Sequence, residues 1–569
     1  MRDRAVIRIR LISAGVLVLA VILVGRLYHI QVANGEEYVE LGEQQYVHTV
    51  RDLYTRGNIF FSTKDGDLVS AATVRSGFVL AANPQLIQDP EAAYAAVANH
   101  IDIDEATFKT RVSDPDRVYV ELARQLDDET ARSINEADIA GLQLYRSQWR
   151  YYPGDDMAAR TIGFVGYEGD ELAGRYGLER YYEDILKRSD ERLSINFFAE
   201  MFANLGDIVF DRTPARRGDI VTTIEPTVSR YLQNRLGEVQ ETWESTLSGG
   251  IIMDPVTGEI YALDVTPTFD LNDRTGVPIQ DFRNPLVEDV YEMGSIIKSL
   301  TIAAGLDSGA VTADTTYYDA GFLEFDEFTI GNFDGKGRGY VDMQEVLNQS
   351  LNTGVSFVVD EMGGESFAEY FTDLRLGTET GIDLPGEIFG MTGNLTTRRD
   401  VELATASFGQ GIALTPIATV RALATLANGG TLVTPHVAKE LRFLDGTSQP
   451  VQFPAGERVF SEATSEEISR MLTEVVDDAL LNGTVKLENY SVAAKTGTAQ
   501  IADPERGGYY DDRYLHSFFG YFPSYDPKFL IFLYTVEPKG VRYASETLTD
   551  PFMDITQFLI NYYSIPPDR

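Results

Sequence analysis

Cysteine is absent from all 569 residues. That absence removes disulfides, zinc–thiolate sites and thiol nucleophiles together, and it is compatible with an exported chain. Histidine is scarce: only His29, His48, His100, His436 and His516 occur. No two of them share a helix-spaced ligand pattern such as HExxH, so a histidine metal site is not expected. No metal and no cofactor is expected. An acyl-transfer or hydrolytic site in this chain would need a base other than histidine, and lysine becomes the interesting option. Basic residues are also in deficit, with Lys+Arg 48 against Asp+Glu 87 and a formal net charge of -39. A nucleic-acid surface needs clustered Lys and Arg, so no nucleic acid is expected as a partner. The acidity itself reads as solubility. Long apolar runs are missing after the first thirty residues, so at most one membrane span is expected.

What is present begins at the N-terminus. Arg2, Arg4, Arg8 and Arg10 precede an uncharged run from Leu11 to Gly25, closed by Arg26. That run alone is shorter than a bilayer core of ~30 Å. Ile7, Ile9, Leu27 and Ile30 extend it, and the arginines can snorkel. A cleaved signal peptide would want small residues after the run, and Arg26-Leu27-Tyr28 supplies none. Residues 1–30 are therefore expected to be a cytoplasmic tip and an uncleaved transmembrane anchor. Positive charge before the span puts the N-terminus in the cytoplasm and the bulk of the chain outside the cell membrane.

The fold class expected is α+β and multidomain. Residues 31–220 read as short strands and helices broken by Gly and Asp-Gly turns, with a charged helical stretch from Pro90 to Ala140. Residues 221–569 read as one domain. Strands are expected at Ile220–Ile224, Gly250–Met253 and Glu259–Leu263, then at Ser491–Ala494, Ser517–Phe522 and Phe529–Val536. A helix carries Tyr231, Leu232 and Leu236, and a final one covers Asp550–Tyr562. Strands at both ends with helices between them suggest an antiparallel sheet completed by distant segments.

Three short motifs occur in order. Ser295-Ile296-Ile297-Lys298 places a hydroxyl and an amine on one helical face. A lysine activates a serine only if burial or a neighbouring cation lowers its pKa. A helix N-terminus would add a favourable field and free N–H groups. Ser350-Leu351-Asn352 offers a hydroxyl and an amide to one cleft. Lys495-Thr496-Gly497-Thr498 follows a buried-strand pattern and offers a cation and hydroxyls to a carboxylate, with Gly497 allowing close backbone approach. Each motif alone is weak: lysines on helices are mostly solvated, and Ser and Asn are common in turns. Together and in order they match a serine acyl-transferase pattern.

With these motifs the chain resembles the class B penicillin-binding proteins along nearly its whole length. Supporting blocks are Tyr291-Glu292-Met293-Gly294, Asp254 to Ile260, Pro267 to Asn272, Thr380 to Glu387, Ser407 to Gly411 and Thr415-Pro416. Arg56-Gly57-Asn58-Ile59, Asp65-Gly66 and Gly177-Leu178-Glu179 resemble pedestal motifs. The chain departs from the family pattern at Met293, where Pro is usual, at Ile296-Ile297, where Thr-Phe is common, and at Leu351, where Ser is common. The resemblance implies an elongated, β-rich pedestal of the dimerisation type and a β-lactamase-like transpeptidase domain. It implies Ser295 as nucleophile, Lys298 as base, Ser350 as proton shuttle, Asn352 as substrate orienter and Lys495 as support for Ser350. Thr496, Gly497 and Thr498 would form the carboxylate-binding strand, with the N–H groups of Ser295 and Thr498 as oxyanion hole.

The implied activity is cross-linking of peptidoglycan stem peptides ending in D-Ala-D-Ala, with β-lactams as substrate mimics. No glycosyltransferase motif set is present, so a membrane-embedded glycosyltransferase partner and other division proteins are implied. The Ser350–Gly354 run resembles the division branch, and Gly337-Arg338-Gly339 lacks the histidine usual in elongation-type relatives. The alternatives are an elongation-type transpeptidase, a β-lactam hydrolase or sensor, and a non-catalytic division scaffold. Among single residues, His516 is expected to be a packed edge residue, Arg56 a structural anchor, and Asp511-Asp512 a solvated loop.

Overall fold

The computed structural model describes residues 55–114, 116–168, 171–188, 217–325, 328–397 and 399–569. The expected anchor at 1–30 lies outside the described residues. Among the described residues no helix is long and apolar enough to cross a membrane.

The described chain forms two compact units that do not follow chain order. One takes residues 74–150; the other takes 56–73, 151–188 and 217–569. In the first, the outer half of strand Leu68–Ala82 pairs with Val120–Leu126, and Leu142–Tyr151 joins the same strand. Three short helices pack on them: Pro90–Val97, Glu105–Val112 and Asp128–Glu136. Each starts at an aspartate (Asp89, Asp104 and Asp127) whose carboxylate accepts first-turn N–H groups, satisfying donors that have no partner inside the helix. The helices seat Val97, Phe108 and Ile134 against Leu80 and Leu122. The helical stretch expected from Pro90 to Ala140 is thus interrupted by a strand. Val120, Leu122 and Leu126 are its buried positions, so the alternation of a strand outweighs the helical composition around it. The β-rich character expected for residues 31–220 is likewise corrected: helices and strands share the described part.

The second unit is built on a five-stranded antiparallel sheet. Its strands are β1 (Leu247–Met253), β2 (Ile260–Thr266), β3 (Ala493–Ala502), β4 (Tyr509–Phe522) and β5 (Phe529–Val536), in the order β3-β4-β5-β1-β2. Side chains alternate across a pleated strand, and both faces here are covered. Ile252, Phe518, Ile531 and Leu533 point to helices Pro226–Trp243 and Thr549–Tyr563. Their neighbours Ile251, Phe519 and Phe532 point to the opposite cluster, which holds Ile296, Ile297 and Leu300. Every β5 residue but the last is buried, which is why that strand reads as a continuous apolar run. Each fully buried large side chain contributes about 1.5–3 kcal/mol. Ile220–Ile224 holds within two residues and Phe529–Val536 holds as read, but β4 begins at Tyr509, well before the expected Ser517, and β3 runs through the Lys495–Thr498 motif instead of ending before it. Asp511 and Asp512 lie in β4, exposed, and not in a loop.

Helix α1 (Lys298–Asp307) is buried from Lys298 to Gly305. A helix segment covered on all sides must be apolar all round, and from Ser299 to Gly305 the side chains are aliphatic, small or hydroxyl-bearing. Its carboxyl end meets helix α2 (Asn352–Met362), whose Val358 lies where a Gly305 Cβ would sit.

Away from the sheet, Arg56 is 2% exposed and Glu179 0%. The Arg56 guanidinium pairs with the Glu179 carboxylate at 2.5 Å, donates to the Glu179 carbonyl at 2.7 Å and meets Glu183 at 2.7 Å. Buried charges persist only when paired and hydrogen-bonded. Replacing Glu179 with Ala should therefore lower stability by about 3–5 kcal/mol, read as a fall in the equilibrium denaturation midpoint, whereas Ala at exposed Glu168 should leave it unchanged.

Candidate active site

The turn Gly294–Ile297 carries Ser295 immediately before α1, and Lys298 is the first residue of the helix proper. The turn is held in place by close backbone approaches. Gly409, at φ +79, lies so near Gly294 that a Cβ would come within 2.3 Å of its carbonyl oxygen. On the other side Gly497 of β3 faces the turn: a Cβ there would sit 2.7 Å from the Met293 carbonyl and 2.4 Å from Ser517 Oγ. Only glycine tolerates such contacts at both positions, and the positive φ at Gly409 as well. The Ser517 hydroxyl, from β4, donates to the Met293 carbonyl at 2.8 Å. The substitutions that depart from the family pattern all lie in the core: Met293, Ile296, Ile297 and Leu351 are each 1% exposed or less.

Two lysines meet at one serine. Lys298 Nζ donates to the Ser350 carbonyl at 2.5 Å and to Ser350 Oγ at 3.2 Å. Lys495 Nζ reaches the same Oγ at 3.0 Å and the Thr496 carbonyl at 3.1 Å. Ser350 sits at φ 55, a left-handed conformation that costs a non-glycine residue about 1–2 kcal/mol. Its carbonyl and hydroxyl oxygens are thereby both within reach of Lys298. The strain is held by helix Met343–Asn348 on one side and α2 on the other. Asn352 opens α2 and its amide donates to the Gly331 carbonyl at 2.8 Å. Beneath it, Thr353 Oγ1 donates to Asp319 at 2.8 Å and Asn332 Nδ2 to the same carboxylate at 3.0 Å.

Burial holds the Lys298 amine well below the usual lysine range, and the nearby Lys495 cation pushes the same way. Burial also lowers Lys495, to about 7. Two ammonium groups sharing a dry site repel, so at least one is driven toward the neutral amine. A neutral amine has a lone pair to accept a proton. The Ser295 hydroxyl has no hydrogen-bond partner among the described residues, and the printed contacts of Lys298 run to Ser350.

Ser295, Ser350, Asn352, Lys495, Thr496 and Thr498 all line one cavity of about 700 Å³. Thr496, Thr498 and Gln500 alternate along β3, each partly exposed toward it. Lys298 is beneath the floor, at 0% exposure. Gly497 is on the opposite side of β3 from Thr496 and Thr498, so its contribution is close packing of the Ser295 turn. The sequence had pointed to none of Phe333, Gln500, Tyr514, Arg542 and Tyr543, which also line it. They lie outside the three motifs, and only the fold brings them to the rim. Among the described residues no group of three or more His, Asp or Glu could hold a metal ion.

His516 is in β4, hydrogen-bonded to strands on both sides, and is 0% exposed. It is thus central in the sheet and not at an edge. Burial pushes its pKa down to about 4. Its neutral ring donates from Nε2 to the Arg542 carbonyl at 3.0 Å, leaving Nδ1 to accept from Thr547 Oγ1 at 2.9 Å. The unfolded chain takes up this proton near 6.5 and the folded chain only near 4, so the stability it supports is present above pH 6.5 and lost as pH falls toward 4. The stability difference between wild type and His516→Gln should narrow by about 3 kcal/mol between pH 7.5 and 4, measured by urea denaturation; an unchanged difference would mean that His516 titrates normally.

The penicillin-binding protein transpeptidase domain family matches residues 249–556, and the penicillin-binding protein dimerisation domain family matches 54–196. The chain is 30% identical to the Stage V sporulation protein D of Bacillus subtilis (strain 168) over 539 residues, covering 93% of this chain and 81% of that protein. It is 24% identical to the peptidoglycan D,D-transpeptidase FtsI of Escherichia coli (strain K12), covering 99% of this chain and 92% of that one. Its fold is similar to that of penicillin binding protein 2X from Streptococcus thermophilus, with a TM-score of 0.71 at 20% identity, over 90% of this chain and 80% of that one. With both domain families matched and this length shared with its relatives, the chain belongs to the class B penicillin-binding proteins.

Proposed function

We propose that this protein is a serine-type peptidoglycan D,D-transpeptidase acting in septal wall synthesis and acylated by β-lactams. The observation that carries the reading is the convergence of two buried lysines on Ser350 in the cavity that Ser295 enters. A partly desolvated serine hydroxyl beside neutralised amines suits nucleophilic attack without histidine. Family membership supports the substrate class.

In the proposed cycle Ser295 Oγ attacks the carbonyl of the penultimate D-Ala, and its proton passes to the neutral Lys298 amine. N–H groups of Ser295 and Thr498 stabilise the oxyanion. Collapse breaks the D-Ala-D-Ala amide. The leaving amine takes a proton relayed from Lys298 through Ser350, which bonds to both lysines. Asn352 orients the donor peptide, and Thr496 and Thr498 hold its terminal carboxylate beside Lys495. An amine of a second stem peptide then attacks the acyl-enzyme ester, gives up a proton along the same path and forms the cross-link, restoring Ser295.

The septal assignment rests on the Ser350–Gly354 run. The same reading includes domains at 31–220 and 221–569, an anchor at 1–30 in the cell membrane with the bulk of the chain outside it, and a glycosyltransferase partner with other division proteins.

Fluorescent penicillin should label the protein covalently and stably, and Ser295→Ala should abolish the label. Lys298→Met should slow acylation by about 10²–10⁴-fold. Because the base must be neutral, the acylation rate should rise with pH through the lowered pKa of Lys298 and reach its plateau well below pH 10.5. A rate still climbing near 10.5 would remove Lys298 as the base, and rapid turnover of the label would favour a β-lactam hydrolase.

A further inference from the structure

Two basic side chains line the cavity, and they sit apart in role. Lys495 is on its floor. The second is Arg542, an exposed residue on the segment that follows β5. No Asp or Glu is among the lining residues, although carboxylates outnumber cations 87 to 48 in this chain. Among the described residues none places a carboxylate in salt-bridge contact with Arg542. Its Nη2 makes one long hydrogen bond, to the Phe333 carbonyl at 3.4 Å, and its guanidinium lies 5.5 Å from the Tyr543 ring centre.

The backbone that carries Arg542 is fixed. Buried His516 donates to the Arg542 carbonyl at 3.0 Å, and the Ala544 N–H donates to Thr498 Oγ1 at 3.0 Å. Thr498 belongs to the strand that takes the terminal carboxylate in the proposed reaction. The segment 542–544 is therefore pinned both to the sheet interior and to the substrate strand. Phe333 and Tyr543 pack edge to face at 5.8 Å beside it, and Phe333 stands on the wall that leads to Asn352 through Gly331. An arginine mounted this way presents a fork of N–H donors suited to a carboxylate. A neutral ligand would leave that fork unused.

We propose that Arg542 is a specificity-determining residue that binds a second carboxylate of the donor peptide, one borne on a side chain and distinct from the terminal carboxylate held at Thr496 and Thr498. The inference rests on the transpeptidase reading and names its substrate class: stem peptides with an acidic side chain are preferred over amidated or purely cationic ones.

Benzylpenicillin and carbenicillin test it, because they share the ring carboxylate and differ by one carboxylate on the acyl side chain. Second-order acylation rates of the full-length protein are measured with both compounds, for wild type, Arg542→Gln and Arg542→Lys. The ratio of the carbenicillin rate to the benzylpenicillin rate should fall about tenfold in Arg542→Gln, as expected for loss of one charge-assisted contact. Arg542→Lys should keep part of it. The wild-type ratio should also fall with added salt while the Gln variant's stays flat, which a purely structural change would not produce. An unchanged ratio overturns the inference, whether both rates fall together or neither moves. Failure of wild type to be acylated by either compound would overturn the transpeptidase reading and this inference with it; acylation with an unaltered ratio overturns this inference alone.

Discussion

Water is kept away from Lys298, and much of the second unit serves that end. The amine opens a helix that is covered on every side, under a floor built from the central sheet and α1 itself. An ammonium ion in such a place is costly. The site meets that cost in two ways: the proton is given up more easily, and the amine is hydrogen-bonded to two oxygens of Ser350. Lys495, also buried, shares one of those oxygens. The pair brings two amines to one serine hydroxyl, and the left-handed backbone of Ser350 presents its carbonyl and its hydroxyl to Lys298 together despite the strain.

The same demand explains the tight packing around the turn that carries Ser295. Ser295 must enter the cavity while the next two residues, Ile296 and Ile297, fill the core. The turn therefore meets Gly409 and Gly497 backbone to backbone, and Ser517 anchors the Met293 carbonyl. These contacts come from β3, β4 and the 407–411 loop, which are far apart in sequence. A rigid cradle of this kind lets a small set of polar groups keep its geometry without solvent. The buried Asp319–Asn332–Thr353 network plays the matching part beneath Asn352.

Structural anchors outside the cavity follow the same rule that a buried charge must be answered. Arg56 and Glu179 are 123 residues apart, yet the pair closes one corner of the second unit. His516 answers it differently, by remaining neutral in mid-sheet while both ring nitrogens are bonded. Its link to the Arg542 carbonyl connects the sheet interior to the cavity rim.

The sequence by itself pointed to where the site lies. Ser295, Ser350, Asn352, Lys495, Thr496 and Thr498, which line one cavity, and Lys298 beneath it were legible because three motifs set hydroxyls and amines at short fixed spacings, and the sheet strands were legible because two covered faces demand unbroken apolar runs. Arg56 was also read as a structural anchor, and the buried pair with Glu179 bears that reading out. Other features depended on contacts between distant segments. Val120–Leu126 was hidden inside a helix-rich composition because strand pairing is decided by the partner, Phe78–Ala82. His516 read as an edge residue because nothing local shows that strands lie on both sides of it. Only the tertiary structure decided that Lys298 bonds Ser350, that Gly497 packs the turn instead of facing the cavity, and that Phe333, Tyr543 and Arg542 share its rim. Burial and proximity across hundreds of residues are properties of the folded chain, and local spacing carries no record of them.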